Sequence, residues 1–368
     1  MYNLLLPYLF RMDPERAHAL TIKALRITGD IDPLRWLVAQ QFKAPSKPVE
    51  VFGLTFKNPV GLAAGYDKDG VAIRGLSALG FGHIEIGTVT PKPQLGNPTP
   101  RVFRLLEDEA IINRMGFPSR GSEFVQMQLN PNLNANWITR VVGFSARKGH
   151  LAQRKWNTIL GVNLGKNKDT PNEEAVFDYL ALLQNFASFA DYLTVNVSSP
   201  NTAGLRNLQE REALEGLLVQ LHQQRLIEQM EYKKRLPILV KLAPDLSESE
   251  LDDAIEAVLR TRMDGIVVTN TTLGREGLRS EHRRESGGLS GRPLAVQSEA
   301  VLCRTVKRVN GEIPIVSVGG IMSAEDAKRR LDCGAALVQV YTGLIYRGPG
   351  LVKEILSFIQ HRTLAEDF

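Results

Sequence analysis

Short apolar runs, each ended by polar residues or glycine, recur along the chain between Val60 and Val340. They are Val60–Ala63, Ile84–Gly87, Ile159–Val162, Leu193–Val195, Ile238–Val240, Ile266–Val268, Ile315–Val318 and Leu337–Val340. A run of this length between turn residues is typical of a buried strand. Helical patterns separate most of the runs. Because an open doubly wound sheet usually has fewer strands, the pattern favours the α/β class and a closed (β/α)8 TIM barrel.

The helical patterns have recognisable start and stop signals. Ser247 and Glu250 form a capping box ahead of a helix over Leu251–Arg260, and Ser323 begins a helix that runs to about Cys333. A small hairpin over Val51–Phe56 precedes the first strand. The other predicted helices are Gly70–Leu79, Glu173–Phe189, Glu210–Glu228, Leu294–Val309 and Pro349–His361.

Residues 1–42 have a different pattern and predict a small helical domain ahead of a catalytic domain over 43–368. Asp13 and Pro14 begin one helix, which Gly29 ends, and Asp32 and Pro33 repeat the start signal. Both helices mix apolar residues with Arg and Lys. Two interpretations remain open: the helices pack on the barrel, or they lie in a membrane surface with their cations towards anionic headgroups.

A segment of about forty residues, Pro118 to Asn157, interrupts the alternation between the second and third runs. Loops of that length are usually functional or disordered, so we expect a lid or a surface insertion there.

Composition narrows the class of protein. The chain has 368 residues, of which 43% are apolar and 23% charged, with a net charge of +5 and a pI near 9.1. This mild basic excess suits an anionic ligand or anionic lipid, and without a Lys/Arg-rich run it does not favour nucleic acid. The chain has no 18-residue apolar run and no cleavable signal, so we expect neither a membrane span nor export. Cys303 and Cys333 are interpreted as small buried residues in a reducing, bacterial cytoplasmic setting.

Polar residues follow the predicted strands, and in a barrel the site forms at the carboxyl ends of the strands. The fourth run is followed by Asn196–Thr202, which has two Asn amides, two Ser hydroxyls and a Thr hydroxyl but no carboxylate. Alone, such a cluster is more typical of a solvated turn. Seven of the eight runs, however, end in Asn, Lys, Thr or another hydroxyl, which favours one shared site. The residues at the other ends include Lys68, Thr88, Asn113, Asn163, Lys241, Thr269, Asn270, Thr271, Tyr341 and Thr342.

Glycine turns follow the seventh and eighth runs, where barrels commonly bind phosphate on backbone N–H groups. They are Gly319-Gly320 and Gly343, with Gly291 as a possible third donor. Lys241 ends a buried strand, so its ammonium group needs an anion or a polar partner. A structural salt bridge is an equally good explanation of Lys241.

Five stretches resemble dihydroorotate dehydrogenase, and specifically its membrane-associated, quinone-reducing class. The stretches are Asn58–Gly70, Ile112–Phe117, Gly165–Thr170, Asn196–Thr202 and Gly287–Pro293. Ser199 stands where the soluble class has Cys, and residues 1–42 resemble the extension by which this class reaches membrane quinone.

The resemblance implies FMN as cofactor, dihydroorotate as substrate and orotate as product, in de novo pyrimidine (UMP) biosynthesis. The implied FMN ligands are Ala64, Gly65, Thr88, Asn163, Asn196, Lys241, Thr269, Gly291, Gly320, Tyr341 and Thr342. The implied substrate ligands are Lys68, Asn113, Arg114, Met115, Gly116, Phe117, Asn196, Asn201, Asn270 and Thr271. The residue types agree with these roles, because Asn amides match the edge of a pyrimidine ring and Lys68 matches its carboxylate.

The resemblance also implies a mechanism. Ser199 takes the C5 proton, with Thr202 or an ordered water as its relay, while a hydride passes from C6 to FMN. Lys241 stabilises the reduced flavin, Phe117 shields the proton path, and quinone enters between the amino-terminal helices. We therefore expect a monomeric peripheral protein on the cytoplasmic side of the bacterial cell membrane.

Some residues depart from the family pattern. Tyr66 replaces an aliphatic residue, and Pro118-Ser119 stands where the family has Asn-Asn. The rival interpretations are a fumarate- or NAD-linked FMN barrel that uses a cysteine base, and a barrel that only binds a phosphate ligand or serves as a membrane scaffold.

Overall fold

The computed structural model describes residues 2–130 and 156–366, without the side chains of residue 3 and of residues 361–366. Most of the predicted insertion, residues 131–155, therefore lies outside the described residues. The strands in chain order are β1 (Val49–Val51), β2 (Leu54–Phe56), β3 (Val60–Leu62), β4 (His83–Val89), β5 (Val102–Leu105), β6 (Ala110–Asn113), β7 (Ile159–Leu164), β8 (Tyr192–Asn196), β9 (Ile238–Leu242), β10 (Gly265–Val268), β11 (Gly288–Gly291), β12 (Ile315–Val318) and β13 (Leu337–Val340).

Eight parallel strands close into a barrel in the order β3-β4-β7-β8-β9-β10-β12-β13. Each contains one of the predicted apolar runs, so the (β/α)8 prediction is confirmed. The helices that surround the barrel are Ile73–Ser77, Ser122–Leu129, Ala175–Phe186, Arg211–Tyr232, Glu248–Arg260, Ala295–Val309, Ala324–Asp332, Thr342–Arg347 and Leu351–Glu366.

The predicted helix starts at Ser247 and Ser323 are confirmed. Ser247 and Glu250 form a capping box, and the Ser323 hydroxyl accepts a hydrogen bond from the N–H of Asp326. The predicted helix Gly70–Leu79 is wrong in length, because only Ile73–Ser77 is helical.

The hairpin of β1 and β2 covers the amino-terminal end of the barrel. Phe52 and Phe56 pack there with Tyr192, Leu239 and other inward-facing apolar residues of the strands. One end of the barrel is therefore filled by apolar side chains, and the carboxyl end remains for a site.

Three helices precede the barrel: α1 (Tyr2–Arg11), α2 (Pro14–Asp30) and α3 (Asp32–Gln41). Asp13 caps α2, as predicted, while α3 is preceded by Ile31 without a side-chain cap. Gly75 lets α2 approach the barrel closely, since a Cβ there would lie 1.9 Å from the backbone oxygen of Leu25. The helices thus pack on the barrel, as in the first of the two interpretations. In the described part of the chain, no helix has the length and apolarity needed to cross a bilayer.

The interpretation of Cys303 and Cys333 as small buried residues without a disulfide is wrong. Cys303 is exposed, Cys333 is half-buried, and a disulfide joins them. The two helical patterns concealed this pairing because it depends on how the helices Ala295–Val309 and Ala324–Asp332 pack together.

Candidate active site

A cavity opens at the carboxyl ends of the strands, and we call it the rim cavity. Every strand exit of the barrel except that of β7 supplies part of its wall. Its walls are formed by Ala63, Ala64, Gly65, Lys68, Thr88, Asn113, Met115, Gly116, Phe117, Pro118, Asn196, Ser199, Asn201, Lys241, Thr269, Asn270, Thr271, Ser290, Gly291, Leu294, Val318, Gly319, Gly320, Ile321, Gln339, Tyr341, Thr342 and Gly343.

The structure brings nearly all of the predicted site residues into this one cavity, but two of them lie elsewhere. Asn163 is fully buried beneath the wall, where its side-chain oxygen accepts hydrogen bonds from Thr88 (2.5 Å) and Asn196 (3.1 Å). Arg114 does not reach the cavity, because its guanidinium pairs with Glu285 at 2.6 Å and lies over the ring of Phe103. The Arg114 side chain therefore lies outside the rim cavity.

Amide groups are fixed at the cavity wall by hydrogen bonds between strand ends. The Asn196 amide nitrogen donates to Thr88 Oγ1 at 3.0 Å, and its oxygen accepts from Asn270 Nδ2 at 3.2 Å. The Asn201 amide nitrogen donates to Asn113 Oδ1 at 3.1 Å. Amides held in this way present donors and acceptors in fixed directions, as recognition of a planar polar ring requires.

Ser199 lies in the loop after β8 and is 5% exposed. Its Oγ accepts a hydrogen bond from the N–H of Asn201 at 3.2 Å. Arg206 fixes the loop, because it donates to the carbonyl oxygens of Ser198 (3.2 Å) and Thr271 (3.0 Å) and pairs with Asp245 (2.8 Å). The hydroxyl of Ser199 is thus held at the wall by backbone contacts on both sides.

Two lysines give the cavity its charge. Burial lowers the pKa of Lys68 from its usual value to about 8, while Asp69 and Glu15 oppose this shift. Burial also lowers the pKa of Lys241, and Glu85 opposes that shift. None of the residues that line the cavity in the described ranges is an acid, so the site suits an anionic ligand.

Glycines form the part of the wall at the ends of β11 and β12. Gly320 has φ +71°, and a Cβ there would lie 2.3 Å from Ala295 Cα. Gly291 has φ +97°, and a Cβ there would lie 2.4 Å from the backbone oxygen of Glu109. Close beside them, the hydroxyls of Ser290 and Thr342 are 2.8 Å apart. Exposed backbone and hydroxyls without a carboxylate are the donor set that holds a phosphate group, so these residues fit a flavin mononucleotide.

Asn113 and Gly291 were predicted from the sequence as site residues, but the sheet that positions them was not. Asn113 and Gly291 lie on a three-stranded antiparallel sheet of β5, β6 and β11, in which Asn113 pairs with Gly288. The strands are short, and the two partners lie far apart in the chain. Arg206 and Asp245 also carried no local signal, because their role depends on loops that the barrel brings together.

A second cavity lies between the barrel and helices α1 and α2, and we call it the extension cavity. Its walls include Leu5, Leu9 and Ile22 together with His18 and Tyr66. The residues that line both cavities are Lys68, Asn113, Met115, Pro118 and Tyr341. The two cavities are therefore separated by a single layer of side chains.

Several polar and aromatic side chains of the extension cavity contact one another. Arg101 forms an ion pair with Glu15 at 3.0 Å, and the Tyr66 ring lies edge-on to His18 at 5.2 Å and to Tyr341 at 6.0 Å. Burial, with Lys68 as a lesser cause, lowers the pKa of His18 to about 3, so this imidazole is neutral at pH 7.

The chain matches the family model of dihydroorotate dehydrogenase over residues 47–363. It is 48% identical to a dihydroorotate dehydrogenase (quinone) of Idiomarina loihiensis, over 98% of this chain and 100% of the relative. A protein of the same name from Yersinia pseudotuberculosis is 45% identical, over 97% of this chain and 99% of the relative.

Solved structures agree with these matches. The crystal structure of DHODH from Eimeria tenella in complex with ferulenol superposes with a TM-score of 0.79 at 39% identity, covering 97% of this chain and 93% of that chain. The ligand-free form from the same organism gives a TM-score of 0.76 at 40% identity, with coverage of 94% and 93%. The chain belongs to the dihydroorotate dehydrogenase family, in its quinone-dependent class.

Proposed function

We propose that the rim cavity holds FMN and dihydroorotate together, and that orotate is formed there as a step of pyrimidine biosynthesis. The observation that carries this proposal is the convergence of Lys68, Ser199 and Lys241 with the fixed asparagines on one acid-free cavity. The adjoining extension cavity supplies a place for the quinone that accepts the electrons.

The phosphate of FMN would be held by backbone and hydroxyl groups of Gly291, Gly320, Tyr341 and Thr342. The ring would lie against Ala64, Gly65, Thr88, Asn196, Lys241 and Thr269, with Asn163 beneath Thr88 and Asn196. A bound FMN would supply the acceptor for the hydride from C6 of dihydroorotate and the donor of two electrons to quinone. Lys241 would lie near the ring, where a cation would favour added negative charge.

Ser199 is proposed as the base that takes the C5 proton of dihydroorotate. Its Oγ already accepts a hydrogen bond from Asn201 N–H, which fixes the direction of the hydroxyl. A serine hydroxyl is a weak base, so the proton must pass onwards, and Thr202 or an ordered water remains the proposed relay. Phe117 lies at the same wall, where it would keep bulk water from the proton path.

The other substrate contacts follow from charge and from the directions of the amides. Lys68 would bind the carboxylate, and the amides of Asn113, Asn196, Asn201 and Asn270 would bind the ring edge. Met115, Gly116 and Thr271 would close the cavity around the substrate.

The acceptor half of the reaction is assigned to the extension cavity, whose leucines and isoleucine suit an isoprenoid tail. The outer faces of α1, α2 and α3 carry exposed apolar residues, among them Leu4 (75% exposed), Tyr8 (68%) and Trp36 (61%). Arg11, Arg16 and Lys23 are exposed on the same helices. Apolar side chains beside cations suit a lipid surface with anionic headgroups, so we propose a monomeric, peripheral protein on the cytoplasmic side of the cell membrane.

The decisive experiment uses the full chain in detergent with dihydroorotate and, in turn, a ubiquinone, fumarate and NAD as acceptors. We expect orotate to form with quinone and the purified protein to be yellow from FMN. Turnover with fumarate or NAD but not with quinone would instead support the rival FMN barrel, and a colourless protein would support a barrel that only binds.

A further inference from the structure

An arginine is buried against the glycine turn that follows β12. Arg330, on the helix Ala324–Asp332, is fully buried. Its Nη2 lies within hydrogen-bonding distance of the carbonyl oxygen of Ala295 (2.6 Å), the hydroxyl of Ser298 (2.9 Å) and the carbonyl oxygen of Gly319 (3.2 Å). A fully buried arginine is rare, because removing its charge from water is costly.

Arg330 remains charged at neutral pH. Burial lowers its pKa to about 10, while the carboxylates of Glu299 and Asp326 oppose this shift. Its Nε lies 3.5 Å from Glu299 Oε2, and that oxygen is also paired with Arg329 Nε at 3.4 Å. Nη1 has no hydrogen-bond acceptor among the residues that the structure describes. One shared, partly exposed carboxylate therefore offsets the buried charge only in part.

The contact with Gly319 fixes the direction of a backbone donor. The carbonyl of Gly319 and the N–H of Gly320 belong to one planar trans peptide, so they point in opposite directions. The carbonyl oxygen is held by Arg330 and, at 2.7 Å, by the Ser298 hydroxyl. Gly319 and Gly320 line the rim cavity, whereas the two side chains that hold the carbonyl do not. The N–H of Gly320 is therefore directed away from these side chains and towards the cavity.

The same arginine joins the glycine turn to the start of a neighbouring helix. Ala295 is the first residue of the helix Ala295–Val309, and a Cβ at Gly320 would lie 2.3 Å from Ala295 Cα. Arg330 contacts the carbonyl oxygens of both Ala295 and Gly319, so it links the two segments directly. Two adjacent glycines have little rigidity of their own, so the direction of their N–H groups depends on such contacts.

We propose that Arg330 is a positioning residue for the flavin phosphate: it holds the Gly319 carbonyl so that the N–H of Gly320 faces the phosphate, and it places a buried positive charge on the other side of that peptide. This inference rests on the proposed function, in which Gly320 holds the phosphate. Arg330 acts through the turn, since it does not line the cavity itself. An arginine that only joined two helices would support every bound flavin equally, with or without a phosphate.

The test is a competition between FMN and riboflavin, which share the ring and differ in the phosphate. The full-length holoenzyme is equilibrated with a mixture of both, and the ratio of FMN to riboflavin in the protein-bound fraction is measured after extraction. Arg330→Met keeps the length of the side chain but removes its charge and donors. We expect the preference for FMN to fall about 10–100-fold, the range of a hydrogen bond from a charged group. Because both flavins compete for the same folded molecules, this ratio is independent of the folded fraction.

Three further variants complete the test. Arg330→Lys retains the charge and a donor, and we expect it to keep most of the wild-type preference for FMN. Arg329→Met removes a cation from the same helix at a side chain that is 50% exposed, and it should leave the preference unchanged. If Arg330→Met does not fold, Arg330→Gln, which loses the charge but keeps an amide donor, decides in its place with a smaller fall in the same direction.

An unchanged preference in folded Arg330→Met or Arg330→Gln would overturn the inference and leave the proposed function intact. An equal fall in Arg329→Met would also overturn it, because the effect would then come from the charge of the whole helix. A wild-type protein that binds no flavin would instead overturn both the inference and the proposed function. The wild-type sample alone therefore distinguishes the two failures.

Discussion

The rim cavity and the extension cavity share five residues, but the rest of their walls differ in the kind of side chain that lines them. The rim cavity is bounded by strand exits whose amides and hydroxyls are hydrogen-bonded to one another, as Thr88, Asn163 and Asn196 are. The extension cavity is bounded largely by apolar side chains of α1 and α2, with one prominent ion pair between Arg101 and Glu15. Fixed polar groups suit a small substrate that must be oriented for the reaction. Apolar walls suit the isoprenoid tail of a quinone, which needs only a route that excludes water.

This contrast predicts that changes in the two cavities affect different halves of the reaction. Changes in the rim cavity should alter bleaching of the flavin by dihydroorotate. Changes in the extension cavity should alter the return of the yellow colour with quinone.

The largest expected effect is that of Ser199→Ala. Without the proposed base, anaerobic bleaching by dihydroorotate should slow by about 10²–10⁴-fold, while flavin content and orotate binding persist. Ser290→Ala, which removes another hydroxyl from the same cavity wall, is the matched control and should bleach far faster. Rapid bleaching of the flavin in Ser199→Ala would show that Ser199 is not the base.

A charge introduced into the extension cavity should impair the reaction of the flavin with quinone and leave its reduction by dihydroorotate unchanged. Leu5 lines this cavity and is 55% exposed. In Leu5→Glu, we expect the KM for quinone to rise about tenfold, equivalent to about 1.4 kcal/mol, because the carboxylate opposes an apolar tail. Val296→Glu, at a residue 82% exposed and outside both cavities, should change neither half-reaction.

The pH dependence of substrate binding should report on Lys68, which lines both cavities. A lysine with its pKa lowered to about 8 is cationic below that pH and neutral above it. The apparent KM for dihydroorotate should therefore rise above about pH 8, approaching tenfold per pH unit. Lys68→Arg, which does not titrate in this range, should abolish the rise if it binds substrate at all. The same pH profile in Lys68→Arg would assign the dependence to another group.

The smallest expected effect concerns the Tyr66 hydroxyl. Tyr66→Phe keeps the ring contacts with His18 and Tyr341 and should change the KM for quinone by only about two- to tenfold, the range of one hydrogen bond. Tyr66→Leu removes the ring as well, so a larger change there would assign the effect to packing at the wall between the cavities. Altered bleaching by dihydroorotate in Tyr66→Phe would contradict the assignment of Tyr66 to the quinone half of the reaction.

The sequence predicted the barrel because each of its strands is buried on both faces and appears as an apolar run between turn residues. It did not reveal β5, β6 and β11, whose short strands pair across distant parts of the chain, as Asn113 does with Gly288. Arg114 was assigned to the substrate from a neighbouring motif, although Glu285 holds its guanidinium. Glu85 of β4 was also overlooked, although it is fully buried and accepts four side-chain hydrogen bonds, because one acid within an apolar run gives no local sign of its partners.

The proposed function assigns the oxidation of dihydroorotate to the rim cavity and the entry of quinone to the extension cavity. Anaerobic stopped-flow absorbance of the bound flavin in Leu5→Glu tests it most directly, first with dihydroorotate and then with quinone. We expect bleaching at the wild-type rate, followed by a slower return of the yellow colour at low quinone concentration. Slow bleaching with a normal return of colour would contradict it.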